Sequence, residues 1–183
     1  MKARISKFIE AIENISEISG RLMSWTVLLL VLIVVYDVFM RFFFKIGSVT
    51  LQELEWHLFA LLFLIGAAYT FKHEGHVRVD IFYRGRFSPR HQAWVDLLGF
   101  LFFLLPFCVV VIISSMPFVS AAFYIMEGSP DPGGLPMRFI LKSAIPLGFS
   151  LLLLQGFAHF LRRVLQLFFP ETNVESDGSG EVK

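Results

Sequence analysis

Four long apolar segments constrain this chain more than any other feature of its sequence. A helix needs about 20 apolar residues to cross a hydrocarbon core about 30 Å thick. Each segment approaches or exceeds that length, and together the four take more than half of the 183 residues. The predicted spans are residues 22–44, 54–71, 94–124 and 139–161. The sequence therefore predicts an all-α integral membrane protein with four transmembrane helices.

The lysine and arginine residues are distributed unequally among the segments that connect these spans. Positive charge collects in the cytoplasmic loops of membrane proteins. If both termini are cytoplasmic, twelve of the sixteen lysine and arginine residues face the cytoplasm. The other four are Arg41, Lys45, Arg138 and Lys142. This asymmetry predicts a multi-pass membrane protein with the N-terminus in, the C-terminus in, and the first and third loops outside; if the source is a Gram-negative bacterium, the membrane is the inner one and these loops face the periplasm.

The two ends of the chain differ from the four-helix membrane domain at residues 21–165. Isoleucine and phenylalanine recur with a period near 3.6 over residues 3–19, which gives a helix one apolar face. An amphipathic helix over residues 1–20 is expected to lie in the headgroup plane, either as an anchor for the first span or as a docking surface for a partner subunit. The polar tail at residues 166–183 is predicted to be a disordered cytoplasmic segment.

Ionisable side chains are absent from the interior of three predicted spans. No Asp, Glu, Lys, Arg or His lies between residues 58 and 71, between 97 and 126, or between 143 and 158. Charge inside a membrane usually marks a pathway for an ion or a substrate. We therefore expect no ion conduction by this chain alone, and a free-standing four-span carrier is the disfavoured alternative.

No pattern for catalysis, metal binding or nucleic-acid binding is found in the sequence. Cys108 is the single cysteine, which excludes intramolecular disulfides and cysteine-based metal sites. His57 and His159 are predicted near opposite membrane surfaces, so they cannot share a haem iron. The basic residues adjoin the membrane rather than forming a nucleic-acid-binding patch. We predict a non-enzymatic subunit without cofactor or metal, with a four-helix membrane anchor of a redox enzyme as the alternative.

Asp37 and Arg41 are the only ionisable residues well inside an apolar segment. They are four positions apart, so they share a helix face and can pair. Glu53 and Glu55 follow at a similar depth at the start of the second span, just before Trp56. We expect the four charged residues to form one cluster in the outer leaflet, with a structural ion-pair network favoured over an ion pathway.

The third predicted helix, over residues 90–126, is longer than the membrane core requires. It must therefore protrude, tilt or bend, and Pro106 and Pro117 are the expected bend points. Pro146 and Gly148 interrupt the fourth span early. Such breaks build midplane binding sites in some carriers, but a kink for helix packing is the favoured interpretation here.

Two stretches of the sequence carry a family resemblance. They are DVFMRFFF at residues 37–44 and LQELEWHLFALLFLIGAAYTFKHEGHVRVD at residues 51–80. These stretches and the four-span layout resemble the small membrane subunit of TRAP transporters, the DctQ type, over about residues 20–165. The most specific element has the pattern G-H-x-R-V-D. Its residues here include Gly75, His76, Arg78 and Asp80.

The resemblance implies a subunit of a three-part, secondary-active importer of organic acids. A periplasmic substrate-binding protein would deliver the substrate to the membrane. A large DctM-type membrane subunit would move it by an elevator mechanism in symport with sodium, so sodium coupling is expected in that subunit rather than in this chain. The small subunit would brace the stationary part of the large one and help to dock the binding protein.

The same resemblance suggests roles for three groups of residues. The expected interface with the large subunit or with membrane lipids comprises Asp37, Arg41, Glu53, Glu55 and Trp56. The residues expected to order the cytoplasmic loop are Gly75, His76, Arg78 and Asp80. The residues expected to dock the periplasmic binding protein are Lys45, Ser48, Glu127, Asp131 and Arg138.

Overall fold

The computed structural model describes residues 2–73 and 89–168, and in these ranges all regular secondary structure is helical. The α-helices are α1 (Lys2–Phe39), α2 (Val49–Lys72), α3 (Pro89–Gly99), α4 (Leu105–Tyr124) and α5 (Phe139–Phe168). Two π-helical turns, Met40–Phe44 and Phe100–Leu104, follow α1 and join α3 to α4. The prediction of an all-helical protein is confirmed for this part of the chain.

Four helical stretches of the described residues are long and apolar enough to cross a membrane. They are Arg4–Phe44, Val49–Lys72, Arg90–Tyr124 and Phe139–Leu167. Each contains one of the four predicted spans. The helices extend beyond the apolar segments because backbone hydrogen bonding continues through polar residues, whereas hydropathy reports only the membrane-compatible part.

The first helix runs from Lys2 to Phe39 without a break, which differs from the predicted separate helix over residues 1–20. No proline interrupts this stretch, so the helical hydrogen bonds continue from the amphipathic segment into the first span. Part of the isoleucine face is covered by protein, since Ile9 and Ile12 are buried together with Ala158 of α5. The first helix therefore begins as a packing element of the fold.

The spanning helices form an open row in the order α1, α2, α5, α4. Helix α2 packs against α1 and α5, the N-terminal part of α1 also packs against α5, and α4 packs against α5. Within the described residues, α4 makes no extensive contact with α1 or α2, so the row is not closed into a bundle. The most apolar window of α5 is 28% buried, more than that of any other described span, and α5 contacts every other described helix. Helix α5 is therefore the centre of the fold, and α4 lies at its edge.

Two glycines allow the neighbouring helices of the row to approach closely. A Cβ atom at Gly20 of α1 would lie 2.1 Å from a ring carbon of Tyr69 in α2. A Cβ atom at Gly148 of α5 would lie 2.6 Å from the carbonyl oxygen of Leu64 in α2. Small residues bring transmembrane helices close enough for van der Waals contact. Helix α5 continues through Pro146, so the structure gives Gly148 a role in packing.

A π-helical turn divides the long third apolar segment just before Pro106. Helix α3 ends at Gly99, the turn covers Phe100–Leu104, and Pro106 lies in the first turn of α4. A proline lacks the N–H group that an α-helical turn would use, and its ring crowds the preceding turn. The wider π turn is the irregularity at this expected bend point. Pro117 lies inside α4, which continues past it to Tyr124.

Candidate functional site

Glu53 is the centre of a polar cluster that ties the start of α2 to the loop before α5. The residue is 3% exposed. Its Oε1 atom accepts hydrogen bonds from the hydroxyl group of Ser129 and, at 2.9 Å, from the guanidinium of Arg138. Its Oε2 atom accepts the backbone N–H of Leu135 at 2.6 Å. Three donors thus compensate a carboxylate that would be costly to bury alone. We call Glu53, Ser129, Leu135 and Arg138 the Glu53 cluster.

The loop that carries three members of this cluster is also folded upon itself. The backbone N–H of Arg138 donates to the carbonyl oxygen of Glu127 at 2.8 Å, and that of Ser129 donates to the carbonyl oxygen of Leu135 at 3.0 Å. Gly133 adopts a φ of +80°, a region that favours glycine. The loop between α4 and α5 therefore has a defined shape that its own backbone bonds and Glu53 maintain.

Two cations of the loop and of α5 extend these contacts to neighbouring helices. The guanidinium of Arg138 lies 5.4 Å from the ring centroid of Trp56 in α2. The amine of Lys142 lies 3.9 Å from the ring centroid of Phe118 in α4 and pairs with the carboxylate of Glu127. Both are cation–π contacts. They connect α2, α4 and α5 at one end of the row, which we call the Glu53 end.

The five residues predicted to dock the binding protein have different environments in the structure. Lys45 and Asp131 are exposed. The hydroxyl of Ser48 accepts the backbone N–H of Leu51 and so caps α2. Glu127 and Arg138 are half-buried and bonded within the fold, as described above. Their polar groups hold the loop before α5 in shape, because buried polar groups of a loop need hydrogen-bond partners. The spacing of these residues in the sequence did not reveal this role.

Asp37 and Arg41 form the predicted ion pair on the first helix. Asp37 is 1% exposed, and its Oδ2 atom accepts a hydrogen bond from the guanidinium of Arg41. About half of the Arg41 side chain is exposed. The pair spans the change from α-helix to the π-helical turn, which ends at Lys45 in a left-handed conformation. The pair therefore combines a buried anion with a cation that a neighbouring molecule can reach.

The expected single cluster of Asp37, Arg41, Glu53 and Glu55 is divided in the structure. Arg41 pairs with Asp37 on its own helix, whereas Glu53 pairs with Arg138 of the loop. Glu55 is half-buried, and its Oε1 atom is enclosed without a hydrogen-bond partner among the described residues. Residues two positions apart on a helix do not face the same direction, so Glu53 and Glu55 point to different surroundings.

Ion pairs among residues outside the predicted sites connect α1 to α2 and α5 at the opposite end of the row. The carboxylate of Glu17 lies 2.7 Å from the amine of Lys72 and 3.0 Å from the Nε2 atom of His73. The carboxylate of Glu13 lies 2.6 Å from the guanidinium of Arg162. We call this the Glu17 end. Its signal in the sequence was the placement of two glutamates, four apart, on the same membrane side as these cations.

Helix α3 joins the same end of the row through Asp96. Its carboxylate lies 2.9 Å from the guanidinium of Arg163 and 3.5 Å from the Nε2 atom of His159, both on α5. Nearby, the buried hydroxyl of Ser16 donates to the side-chain oxygen of Gln155 at 2.7 Å. The Glu17 end therefore gathers polar contacts from four helices around the end of α5.

The motif residues Gly75, His76, Arg78 and Asp80 lie outside the described residues, so their expected role stays a prediction. Among the residues that the structure does describe, no group of three or more His, Cys, Asp or Glu side chains is placed to hold a metal ion.

Four described helical stretches are long and apolar enough to cross a membrane, and their polar contacts lie toward the two ends of the row. These features define a multi-pass membrane protein. Comparison with protein families matches residues 30–166 to the family described as tripartite ATP-independent periplasmic transporters, DctQ component. Because the match covers most of the chain, the protein belongs to the DctQ family, the small subunit of TRAP transporters. Comparison with curated proteins finds no match.

Family membership makes this protein a component of a transporter rather than an enzyme. It is a multi-pass inner-membrane protein, and members of its family function together with the other TRAP components. The resemblance stated from the sequence is thereby confirmed. The alternative of a membrane anchor for a redox enzyme receives no support from the family match.

The structure predicts that Glu53→Gln will loosen the loop before α5. Whichever way the amide turns, its nitrogen would face a donor, either the N–H of Leu135 or the guanidinium of Arg138, and Arg138 would lose its anion. We expect the melting temperature in detergent to fall by about 2–6 °C and proteolysis between residues 125 and 138 to accelerate. Glu10→Gln, at an exposed position of α1, should change neither. An unaltered proteolysis rate for Glu53→Gln would show that the loop does not depend on this carboxylate.

Proposed function

We propose that this chain braces the stationary part of a large DctM-type subunit in a TRAP importer and does not itself conduct substrate or sodium. The observation that carries the proposal is the open row of helices. Helices α1, α2 and α5 contact one another, whereas α4 packs on α5 alone among the spanning helices, so the four described spans do not surround a common interior. Such a layer can support a moving partner across a broad apolar surface, while transport of an organic acid with sodium is assigned to the large subunit.

The distribution of charge supports the non-conducting role. A pathway through the membrane needs polar groups that replace the hydration of the ion. The described ion pairs lie near the two ends of the row, at Glu53 and at Glu17, and Asp37 is neutralised by Arg41. The interior of three spans carries no Asp, Glu, Lys, Arg or His. Conduction would therefore have to be provided by another subunit.

The surroundings of Arg41 support an interface at the end of the first span. Phe42, Phe43 and Phe44 are all more exposed than buried, and the ring centroids of Phe42 and Phe43 are 5.1 Å apart. Arginine and aromatic residues are enriched where protein interfaces concentrate their binding energy. The proposal places the large subunit, or a lipid held between the two subunits, against this group.

The distribution of positive charge supports an orientation with both termini in the cytoplasm. In that orientation the Glu53 end faces the periplasm, and the loop before α5 presents Asp131 to the binding protein. The Glu53 cluster holds this loop in one shape, and a preordered loop loses less conformational freedom on binding. We propose docking on Lys45 and Asp131, with Ser48, Glu127 and Arg138 maintaining the shape of that surface.

The central test is reconstitution of the purified chain in vesicles under a sodium gradient. Alone, it should accumulate the importer's substrate no faster than empty vesicles, with or without the binding protein. Together with the large subunit and the binding protein, uptake should appear. Sodium-driven accumulation by the small subunit alone would refute the non-conducting role.

Arg41→Ala should reduce the amount of large subunit that co-purifies with the tagged small subunit, by at least about fivefold if the guanidinium lies in a buried contact. Because this variant also leaves Asp37 unpaired, the double variant Asp37→Asn with Arg41→Gln is the matched control. It removes both charges together, so a purely internal role predicts recovery of assembly. Persistent loss in the double variant supports a contact with the partner. Normal assembly and transport in Arg41→Ala would contradict the proposed interface.

Asp131→Lys should weaken docking of the binding protein while leaving the membrane complex intact. Charges at the rim of an interface act mainly on the association rate, so we expect the KM for binding-protein-dependent uptake to rise by about threefold or more, with little change in maximal rate. Glu10→Lys makes the same charge change near the other end of the row. Unchanged uptake kinetics in Asp131→Lys would remove this residue from the docking surface.

A further inference from the structure

An open groove of about 550 Å³ lies between α1 and α2, toward the Glu17 end of the row. Small side chains contribute much of its lining, namely Gly20, Ser24, Gly66, Ala67 and Thr70. The hydroxyl groups of Ser24 and Thr70 donate to the carbonyl oxygens of Gly20 and Gly66, each at 3.1 Å. These polar groups are satisfied within their own helices, so the groove offers an apolar surface.

The dimensions of the groove favour a slender occupant over a helix. Its lining on α1 runs from Gly20 to Val27, which corresponds to about 10 Å along the helix axis. This length is about two helical turns, far shorter than the hydrocarbon core that a spanning helix crosses. A Cβ atom at Gly66 would meet nothing within 4 Å. The space therefore suits a flexible hydrocarbon chain such as a lipid acyl chain.

Basic side chains lie at the Glu17 end of this groove. Arg21 follows the lining residue Gly20, and its side chain is 78% exposed. Lys72 and His73 follow shortly after Thr70 on α2. The carboxylate of Glu17 is closest to Lys72 and His73, and its contact with Arg21 is longer, at 3.4 Å. One carboxylate thus faces two permanent cations and one histidine, and Arg21 keeps most of its surface free.

We propose that this groove binds an anionic phospholipid of the cytoplasmic leaflet. The acyl chain would lie between α1 and α2, and the phosphate would contact Arg21, with Lys72 and His73 adding to the local positive potential. Basic pockets between transmembrane helices on the cytoplasmic side select anionic headgroups, and arginine side chains near helix ends extend to the headgroup level. The inference rests on the cytoplasmic placement of the termini within the proposed function.

The test compares phosphatidylglycerol with phosphatidylcholine of identical acyl chains, added to the detergent-purified complex of small and large subunits. Native mass spectrometry counts the lipids that remain bound. We expect phosphatidylglycerol to be retained about tenfold better. Arg21→Gln should lower its retention about fivefold and leave phosphatidylcholine unchanged. Gly66→Leu fills the groove and should lower retention of both lipids.

Two matched variants serve as controls. Lys7→Gln removes an exposed charge from the same helix, and Gly99→Leu adds the same side chain at another helical glycine with free space around its Cβ position. Neither should change the retention of either lipid. Size-exclusion profiles and circular dichroism establish that each variant is folded, and the exposed Arg21 position keeps the test valid if Gly66→Leu does not fold.

Several outcomes would overturn the proposal. Equal retention of the two lipids by the unmodified complex would do so, as would unchanged retention in both Arg21→Gln and Gly66→Leu. Loss of the large subunit from Gly66→Leu, with phosphatidylglycerol still bound, would show that the groove receives a helix of the partner. If the unmodified chain fails to recover any large subunit, the proposed function fails instead, and the lipid comparison on the isolated chain still decides the present inference.

Discussion

The structure depends on one constraint, which is that apolar side chains gain little by leaving lipid for one another. In a bilayer the hydrophobic effect does not drive helices together, so association relies on close backbone packing and on polar contacts. This chain has both. Gly20 and Gly148 bring α2 against its two neighbours, and Glu53 and Glu17 anchor polar contacts at the two ends of the row. The apolar side chains that the helices leave exposed can contact lipid or a partner.

An open row follows from where these contacts are placed. Among the described spanning helices, α4 packs extensively against α5 only. The contact of Lys142 in α5 with the ring of Phe118 in α4 is one example. Polar contacts of α1 connect it to α2 and to the end of α5, through Glu17 and Glu13. The described residues contain no comparable bond from α4 back to α1, so the edges are not drawn together. A layer of this kind suits a component that supports another protein.

The parts of this structure that sequence could predict are those governed by local geometry. Span number follows from apolar length, and the Asp37–Arg41 pair follows from the four-residue spacing of a helix. The partner of Glu53 was not predictable in this way, because Arg138 lies 85 positions away. That pairing depends on the order of helices in the row, which hydropathy does not encode. The continuity of α1 into the first span was also not predicted, because an amphipathic pattern marks the apolar face of a helix and not the residue at which the helix ends; α5 covers Ile9 and Ile12 of that face.

The ion pairs Asp37–Arg41 and Glu53–Arg138 differ in how far the arginine side chain is exposed. Arg138 is largely enclosed, with its guanidinium between Glu53 and the ring of Trp56. Its charge is therefore paired within the protein, where it holds the loop. Arg41 satisfies one oxygen of a buried aspartate, and about half of its side chain is still exposed. An exposed guanidinium at membrane depth is costly unless a headgroup, water or a protein acceptor meets it. The proposed contact with an external partner therefore falls on Arg41, whereas Arg138 holds the loop before α5.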